Sequence, residues 1–390
     1  MLKPTMFVFV FFWVFTFGVG SARELQTGAG QPEVYLPLLK VKKVGMVVNH
    51  TSMVQEGIHL VDFLLEKGVR VTKIFAPEHG FRGDASAGEK VKDGVDSRTG
   101  IPVISLYGEI RKPTPAHMKD LDILVFDIQD VGCRFYTYLS TLHYVLEACA
   151  DNGKPLLVLD RPNPNGDYVA GPVLEPEFRS FVGLHPIPLV HGCTLGEMAR
   201  MINGEHWHQS QEKCDIRVIP VKNYTHTTAY SLPVKPSPNL PNDLAVQLYP
   251  SLCFFEATSV SVGRGTDFPF QVLGGLKPSL GEFQFTPRSI PGAAVNPLNK
   301  GKKCYGVDLR RLNHVPDFTL QFFLDFYHKF ENEEAFLTRE RWFNLLAGTD
   351  RLIQQIRNGK SEEEIEESWQ PSLEEYKELR KKYLLYPDFD

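Results

Sequence analysis

The sequence lacks the short motifs that mark several large enzyme classes. Its 390 residues contain no G-x-G-x-x-G behind a strand pattern and no G-x-x-x-x-G-K-[ST], which argues against the common nucleotide-binding loops. A G-x-S-x-G elbow and an H-E-x-x-H helix are also absent, which argues against α/β-type serine hydrolases and zincin metallopeptidases. The six cysteines form no C-x-x-C pair, which argues against a zinc knuckle, and we expect them to be mostly buried apolar side chains.

A strong excess of one charge is missing as well. The formal net charge is −5 and the pI is about 6.2, which argues against a nucleic-acid-binding protein that relies on a broad basic surface. The 43% hydrophobic content supplies enough apolar material for a sizeable core and argues against a disordered chain. Long apolar runs occur only near the N-terminus, so no later segment is predicted to cross a membrane.

The first 22 residues have the pattern of a secretory signal peptide. Lys3 precedes an apolar run over residues 6–20, and the small residues Gly20 and Ala22 follow. An uncleaved membrane anchor is the alternative, but the run is short for a membrane span. No cysteine follows directly, which argues against a lipoprotein. We therefore expect an exported protein, periplasmic or secreted, that no membrane segment retains after cleavage.

Short apolar runs alternate with helical patterns in the first half of the chain. We predict strands at residues 44–49, 71–76, 103–107, 122–127 and 156–160, and helices at residues 60–68 and 136–152. Such continuous apolar strands indicate a parallel sheet that is covered on both faces. The predicted fold class is α/β, with a Rossmann-like, mostly parallel sheet domain at residues 33–190 and a smaller mixed α/β domain with C-terminal helices at residues 191–390.

Helix signals dominate the second half of the chain. Capping boxes that begin at Thr194, Ser361 and Ser372 predict three helix starts. We predict further helices at residues 316–330, 338–347 and 350–357, a strand at 215–221 and a stiff loop at 235–242.

Polar motifs follow the predicted strands of the first domain. They are Pro77-Glu-His-Gly-Phe-Arg-Gly83, Gly108-Glu109, Ile128-Gln-Asp-Val-Gly-Cys-Arg134 and Arg161-Pro-Asn-Pro-Asn-Gly166. In open α/β sheets, ligands bind outside the carboxyl ends of the strands. These loops are therefore predicted to converge on one crevice, with carboxylates, arginines, amides and aromatic rings.

Several carboxylates in these motifs are candidates for acid–base chemistry. Glu78 could act as a general acid in a partly dry crevice, or it could cap a helix or pair with Arg82. Asp127 and Asp130 could shift each other's pKa, bind sugar hydroxyls, or be neutralised by Arg134.

Other groups have equally open interpretations. Asp160, Arg161 and Asn163 favour ligand binding over catalysis, with a structural Asp–Arg pair as the alternative. Glu256 lies beside two phenylalanines near Arg264, where structural pairing and function are both reasonable. The aromatic pair Tyr136 and Tyr138 could stack on a sugar or pack in the core, and His206 with His208 is more typical of a surface than of a metal site.

Taken together and in this order, the motifs resemble the NamZ family of exo-β-N-acetylmuramidases, glycoside hydrolases once known only as a domain of unknown function. The matching segments are Asn49-His-Thr51, Pro77-Glu-His-Gly-Phe-Arg-Gly83, Phe126-Asp-Ile-Gln-Asp-Val-Gly-Cys-Arg-Phe-Tyr-Thr-Tyr138, Asp160-Arg-Pro-Asn-Pro164, Pro236-Ser-Pro-Asn239, Val262-Gly-Arg-Gly-Thr266 and Tyr383-Leu-Leu-Tyr386. The resemblance covers about residues 33–390. One departure is Glu256-Ala-Thr-Ser-Val260, where we expect a sequence nearer Glu-Gly-Thr-Asn.

The resemblance implies hydrolytic removal of single N-acetylmuramic acid units from the non-reducing ends of peptidoglycan-derived oligosaccharides or muropeptides, with no cofactor and no metal. It places the site in a cleft between the two domains and makes Glu78 the leading catalytic residue, with Glu256, Asp127 or Asp130 as the second carboxyl group. The substrate's own acetamide could also act as nucleophile. The expected substrate-binding residues are His79, Arg82, Gln129, Asp130, Arg134, Tyr136, Tyr138, Asp160, Arg161, Asn163, Arg264 and Thr266.

The substrate's lactyl carboxylate requires a cation in the site, and Arg134, Arg161 and Arg264 are the candidates from the sequence.

Three alternative functions remain. A non-catalytic receptor for muropeptides would use the same cleft. An esterase or amidase would need an activated nucleophile or a metal, and no motif for either is visible. A dinucleotide-dependent glycosidase would need the missing glycines.

Overall fold

The computed structural model describes residues 24–82 and 93–389, so the predicted signal peptide lies outside the described residues. The strands are β1 (Lys43–Val48), β2 (Met53–Gln55), β3 (Ile58–His59), β4 (Arg70–Ala76), β5 (Gly94–Val95), β6 (Pro102–Ser105), β7 (Ile123–Asp127), β8 (Leu156–Leu159), β9 (Ile216–Ile219), β10 (Val272–Gly275), β11 (Phe283–Phe285) and β12 (Cys304–Asp308). The α-helices are α1 (Pro32–Leu39), α2 (Leu60–Glu66), α3 (Pro115–Met118), α4 (Tyr138–Asp151), α5 (Leu195–Gly204), α6 (Asp243–Leu252), α7 (Gln321–Tyr327), α8 (Glu333–Phe336), α9 (Glu340–Ala347), α10 (Arg351–Arg357), α11 (Glu362–Glu367) and α12 (Gln370–Lys381).

A seven-stranded sheet forms the larger part of the molecule. Its strand order is β5-β6-β4-β1-β7-β8-β9, and every pairing is parallel except that between β5 and β6. At the centre, Val44 of β1 lies between Val71 of β4 and Ile123 of β7. The mostly parallel α/β fold predicted from the sequence is thus confirmed.

Side-chain alternation explains why the central strands are apolar throughout. In β7, Leu124 and Phe126 pack into the core under α4 and α5, whereas Val125 packs into the core under α1 and α2. Because both faces of the sheet are covered by helices, neither set of alternate positions faces water. The continuous apolar runs of the sequence follow from this layer arrangement.

A second, smaller sheet lies in the C-terminal half. It is antiparallel, with the order β10-β12-β11, and the short helices α7 to α11 follow it in the chain. Gly306 of β12 lies against β10 so closely that a Cβ atom would be 1.8 Å from the carbonyl oxygen of Leu273. This sheet was not predicted from the sequence, although the smaller mixed α/β part with C-terminal helices is confirmed.

The predicted domain boundary at residues 190 and 191 stays a prediction. The large sheet continues past it to β9, the strand expected at residues 215–221. One hydrophobic core also runs from Phe126 in the large sheet to Phe254 and on to Phe343 in α9. The two parts of the molecule therefore share their packing.

Two of the three predicted capping boxes are confirmed. Thr194 and Ser361 each accept from the backbone N–H three residues on, and the glutamate at that position reaches back. The box predicted at Ser372 is wrong, because α12 already begins at Gln370 and Ser372 lies inside its first turn. All six cysteines are unpaired and buried, as expected.

Within the described ranges, no helix has the length and apolar character needed to cross a bilayer.

Candidate active site

A cavity of about 1260 Å³ lies at the carboxyl ends of the large-sheet strands, where the C-terminal part of the chain packs against them. Six of the residues predicted for the site line it. They are Glu78, His79, Tyr136, Tyr138, Glu256 and Arg264. The loops after β4, β6 and β7 and the glycine-flanked turn at residues 262–266 thus reach the same space, whereas no residue of the fourth predicted loop, 161–166, lines it.

Glu78 stands two residues beyond the end of β4, on the wall of the cavity. The hydroxyl of Thr137 donates a hydrogen bond of 2.7 Å to its Oε2 atom, and the hydroxyl of Tyr107 is hydrogen-bonded to the same carboxyl group. Burial and the neighbouring carboxylate raise the pKa of Tyr107, so its hydroxyl keeps its proton. Two hydroxyl groups from different loops therefore hold the Glu78 carboxyl group in position.

A sharp turn directly after Glu78 fixes the direction of its side chain. His79 and Gly80 both have left-handed backbone conformations, with φ angles of 71° and 78°. A hydrogen bond of 3.0 Å from the N–H of Gly80 to the carbonyl of Pro77 closes the turn. Positive φ is costly for a histidine, and such strained residues are concentrated at functional sites.

Glu256 reaches the cavity from the 3₁₀ helix Cys253–Ala257. Arg264 contacts one of its oxygens, Oε1, with Nε at 2.7 Å and Nη2 at 2.5 Å. Both side chains are partly exposed, at 21% for Glu256 and 26% for Arg264. Among the described residues no hydrogen bond is formed to Oε2 of Glu256, so that atom can face a substrate or a water molecule.

The turn that presents Arg264 depends on two glycines. Gly263 and Gly265 both have positive φ angles, 78° and 80°. A Cβ atom at Gly265 would lie 2.5 Å from the carbonyl oxygen of Arg288. The guanidinium then lies 5.0 Å from the ring centroid of Phe270. Because glycine adopts positive φ angles at little cost, the Gly-Arg-Gly pattern at residues 263–265 follows from the conformation of this turn.

The tyrosine pair forms another part of the cavity wall. The hydroxyls of Tyr136 and Tyr138 donate to the carbonyl of Pro236 over 2.9 Å and 3.4 Å. Burial raises the pKa of both hydroxyls, so they remain neutral. Their rings support the stiff loop at residues 235–242, where Ser237 and Asn239 also line the cavity.

The structure places Asp127 and Arg161 outside the cavity wall. Arg161 contacts the Asp127 carboxylate with Nε at 2.5 Å and Nη2 at 2.9 Å, and it also donates to the carbonyl of Met53. Both side chains are buried. They form a bidentate ion pair that joins the end of β7 to the segment that follows β8.

The loop after β7 is likewise held together by internal contacts. Gln129 donates to the carbonyls of Asp130 and Pro162, and Asp130 accepts a hydrogen bond of 2.8 Å from the N–H of Gly132. None of these side chains lines the cavity.

Arg134 is buried and donates to four backbone carbonyls. Two belong to Pro172 and Ile187, and two belong to Leu346 and Ala347 at the end of α9. Its guanidinium therefore connects the end of α9 to the large-sheet part by hydrogen bonds, and Arg134 does not line the cavity.

Asp160 is buried and accepts three hydrogen bonds. The donors are the hydroxyls of Thr194 and Tyr386, at 2.6 and 2.5 Å, and the N–H of Gly196 at 2.8 Å. Asp160 thus anchors the start of α5 and the C-terminal segment rather than facing the cavity.

The remaining predicted residues also lie away from the cavity wall. Asn163 donates to the carbonyl of Cys193, and Arg82 pairs with Asp96. Thr266 donates to the carbonyl of Gly263 over 2.6 Å and so closes the turn that presents Arg264.

Several cavity residues were not identified from the sequence. Tyr107 and Thr137 hold Glu78, and Arg111 and Arg339 add positive charge to the wall. Tyr107 ends a predicted strand, and Arg111 follows the Gly108-Glu109 motif. Both could therefore have been identified by the strand-end rule, that is, the rule that ligands bind outside the carboxyl ends of the strands. Arg339 lies in a segment with no motif, and no signal in the sequence pointed to it.

The described ranges contain no cluster of three or more histidine, cysteine, aspartate or glutamate side chains that could hold a metal ion.

Comparison with known proteins finds matches over nearly the whole chain. A family model described as "Exo-beta-N-acetylmuramidase NamZ, N-terminal" matches residues 44–244, and its C-terminal counterpart matches residues 247–386. A Bacillus subtilis protein named "Peptidoglycan beta-N-acetylmuramidase NamZ" is 39% identical over 372 residues, which cover 90% of this chain and 89% of that protein.

Two crystal structures of DUF1343 family proteins from Bacteroides fragilis have the same fold. The first has a TM-score of 0.86 and 48% identity, and the match covers 94% of this chain and 99% of that one. The second has a TM-score of 0.79 and 28% identity, with coverage of 93% and 99%.

Proposed function

The chain belongs to the NamZ family of exo-β-N-acetylmuramidases, and on that premise we propose that it hydrolyses the terminal, non-reducing N-acetylmuramic acid from peptidoglycan-derived glycan fragments. The single observation that supports this reaction beyond family membership is that Glu78 and Glu256 line the same cavity. Glycoside hydrolysis usually requires two carboxyl groups at the scissile bond. Here they come from distant parts of the sequence and meet only in the folded chain.

The surroundings of the two glutamates suit different roles. Glu78 is hydrogen-bonded by hydroxyl groups, which can donate to a carboxylate or accept from a carboxylic acid, so it can deliver a proton to the glycosidic oxygen. Glu256 is paired with Arg264 and suits the role of the charged carboxylate, which acts on water or orients the substrate's acetamide. Asp127 and Asp130, the other candidates, are buried and do not line the cavity.

A chromogenic β-N-acetylmuramide tests the reaction. We expect the purified protein to release the chromophore from the muramide and not from the matching β-N-acetylglucosaminide. Glu78→Gln should lower kcat by about 10²–10⁴-fold, the usual loss for a general acid. The matched control is Glu66→Gln, which makes the same change on an exposed residue of α2.

The outcomes separate an enzyme from a receptor. If neither sugar is hydrolysed while the muramide still binds in calorimetry, and Glu78→Gln binds it equally well, the protein is a muropeptide receptor. If Glu78→Gln keeps full turnover, another residue is the acid.

We further propose that the protein acts outside the cytoplasm, in cell-wall turnover, because residues 1–22 have the signal-peptide pattern. Cleavage after Ala22 would leave 368 residues, that is 390 − 22. Mass spectrometry of the protein recovered from periplasm or medium should show this shortened chain. A full-length chain found in the membrane fraction would support an uncleaved anchor instead.

A further inference from the structure

The cavity wall carries three arginines, and their surroundings differ. Arg264 is paired with Glu256. Arg111 and Arg339 also line the cavity, and among residues 24–82 and 93–389 neither has a carboxylate within salt-bridge distance. Two guanidinium groups are therefore available to an anionic substrate.

Arg111 lies on the part of the wall that carries Glu78. Its guanidinium carbon is 4.5 Å from the ring centroid of Phe181, a distance at which cation–π attraction holds the group in place. The same ring lies 5.9 Å from that of Tyr107, whose hydroxyl is hydrogen-bonded to Glu78. A contiguous set of contacts thus joins Arg111 to the proposed general acid.

Ser180 lines the same cavity as Arg111 and has an unused hydrogen-bonding group. Its backbone is paired with Gly183 in a tight hairpin whose tip is Phe181. Its hydroxyl oxygen is buried, and no described residue forms a hydrogen bond with it. A buried polar atom without a partner is costly, so a ligand acceptor at this position would be favoured.

A second cavity of about 370 Å³ lies behind this wall. Arg111, Ser180 and Phe181 line both cavities, and the smaller one is also lined by Arg179 and by Glu147, which is paired with Lys112. The wall between the cavities therefore offers a guanidinium and a hydroxyl group, which together match the acceptors of a carboxylate.

We propose that Arg111, assisted by the Ser180 hydroxyl, binds the lactyl carboxylate of the terminal muramic acid and so selects this sugar over N-acetylglucosamine. The inference rests on the proposed muramidase function. Arg111 takes the place of the arginines expected from the sequence for this task. Arg134 is buried and holds backbone carbonyls, Arg161 is buried and paired with Asp127, and Arg264 is paired with Glu256. Arg111 is thus a specificity-determining residue.

Two substrates that differ only in charge test this assignment. They are the chromogenic β-muramide with a free lactyl carboxylate and the same compound as its lactyl methyl ester. Arg111→Gln should lower kcat/KM for the free acid by roughly 10- to 100-fold, the worth of a hydrogen bond to a charged group. The loss for the neutral ester should be only a few-fold. Arg111→Lys should recover part of the preference, because it keeps the charge and loses the planar fork.

Arg339→Gln is the matched control, since it removes the other unpaired arginine of the same cavity. We expect it to change the acid and ester reactions by similar factors. Ser180→Ala should reduce the preference for the acid by a smaller factor than Arg111→Gln does.

Two results would overturn the assignment. One is an equal loss on acid and ester in Arg111→Gln, and the other is an acid-selective loss in Arg339→Gln instead. Either result is informative only if the unmodified protein hydrolyses the muramide. Absence of hydrolysis of either compound by the unmodified protein would contradict the proposed function itself, so the two failures are distinguishable.

Discussion

The buried pair of Asp127 and Arg161 gives the sharpest test of how this fold supports its site. The carboxylate is fully buried, and the guanidinium contacts both of its oxygens. In Asp127→Ala the guanidinium would stay buried without its counter-charge. Removing one partner of a buried pair costs about 3–5 kcal/mol. That is a large part of the roughly 5–15 kcal/mol by which folded proteins are stable.

Urea unfolding followed by tryptophan fluorescence would measure the change. We expect Asp127→Ala to lower the unfolding midpoint strongly with little change in slope. The double variant Asp127→Leu/Arg161→Met should recover much of the loss, because an apolar pair leaves no buried charge. The matched control is Asp122→Ala, an exposed residue directly before the same strand, where the carboxylate accepts one backbone hydrogen bond of 2.7 Å. It should cost about 1 kcal/mol.

Two results would refute this reasoning. A midpoint for Asp127→Ala close to that of the unmodified protein would show that the pair contributes little to stability. A variant Asp127→Asn with unchanged stability and a kcat lowered by orders of magnitude would show that Asp127 acts directly in the reaction.

Three further predictions concern the supporting structure. Gly263→Ala should cost about 1–3 kcal/mol and lower activity, because the alanine would need a strained positive φ and its Cβ would lie 2.7 Å from the Cγ2 atom of Val272. Thermal unfolding measures the first effect and the muramide assay the second. Tyr386→Phe should lower the unfolding free energy by about 1–3 kcal/mol in urea titration, because buried Asp160 loses the hydroxyl that donates to it. Burial raises the pKa of Asp130 from 3.8 to about 7, so the folded state holds this proton more tightly and the native protein should lose stability as pH rises through that interval. The side chain in Asp130→Asn cannot titrate. Between pH 4 and 7 the urea midpoint of the native protein should therefore fall relative to that of the variant, and above pH 7 the difference between the two midpoints should stay constant.

A different result would contradict each of these three predictions. Full activity and an unshifted melting temperature in Gly263→Ala would mean that the turn tolerates a side chain. An unchanged urea midpoint in Tyr386→Phe would mean that water replaces the lost donor. Parallel pH profiles for the native protein and Asp130→Asn would mean that Asp130 keeps an ordinary pKa in the folded state.

The large sheet was predictable because its strands leave a strong signal. Continuous apolar runs at residues 44–49, 122–127 and 156–160 coincide with β1, β7 and β8 to within about one residue. The small antiparallel sheet leaves none, since glycines occupy much of β10 and the middle of β12, where the backbones approach closely. A glycine gives no apolar periodicity and has low strand propensity.

The site was predictable only in part, for a different reason. The strand-end rule located Glu78 and Asp127 equally well, yet one faces the cavity and the other faces the core. What decides this is the path of the backbone after the strand, such as the left-handed turn at His79, and the partner that a distant loop supplies. The sequence does not single out Arg111, because a single arginine in a loop is usually a solvated surface residue.

The contacts of α12 and the segment that follows it have a consequence for the order in which the chain assembles. Tyr376 donates to the carbonyl of His191, and Tyr386 donates to Asp160, across separations of 185 and 226 residues. Contacts this distant in sequence form late, because long loops must close before they can be made. The surroundings of Asp160, directly after β8, thus remain incomplete until the last part of the chain has been synthesised, and a nascent chain cannot complete this edge of the large sheet ahead of its C-terminal helix.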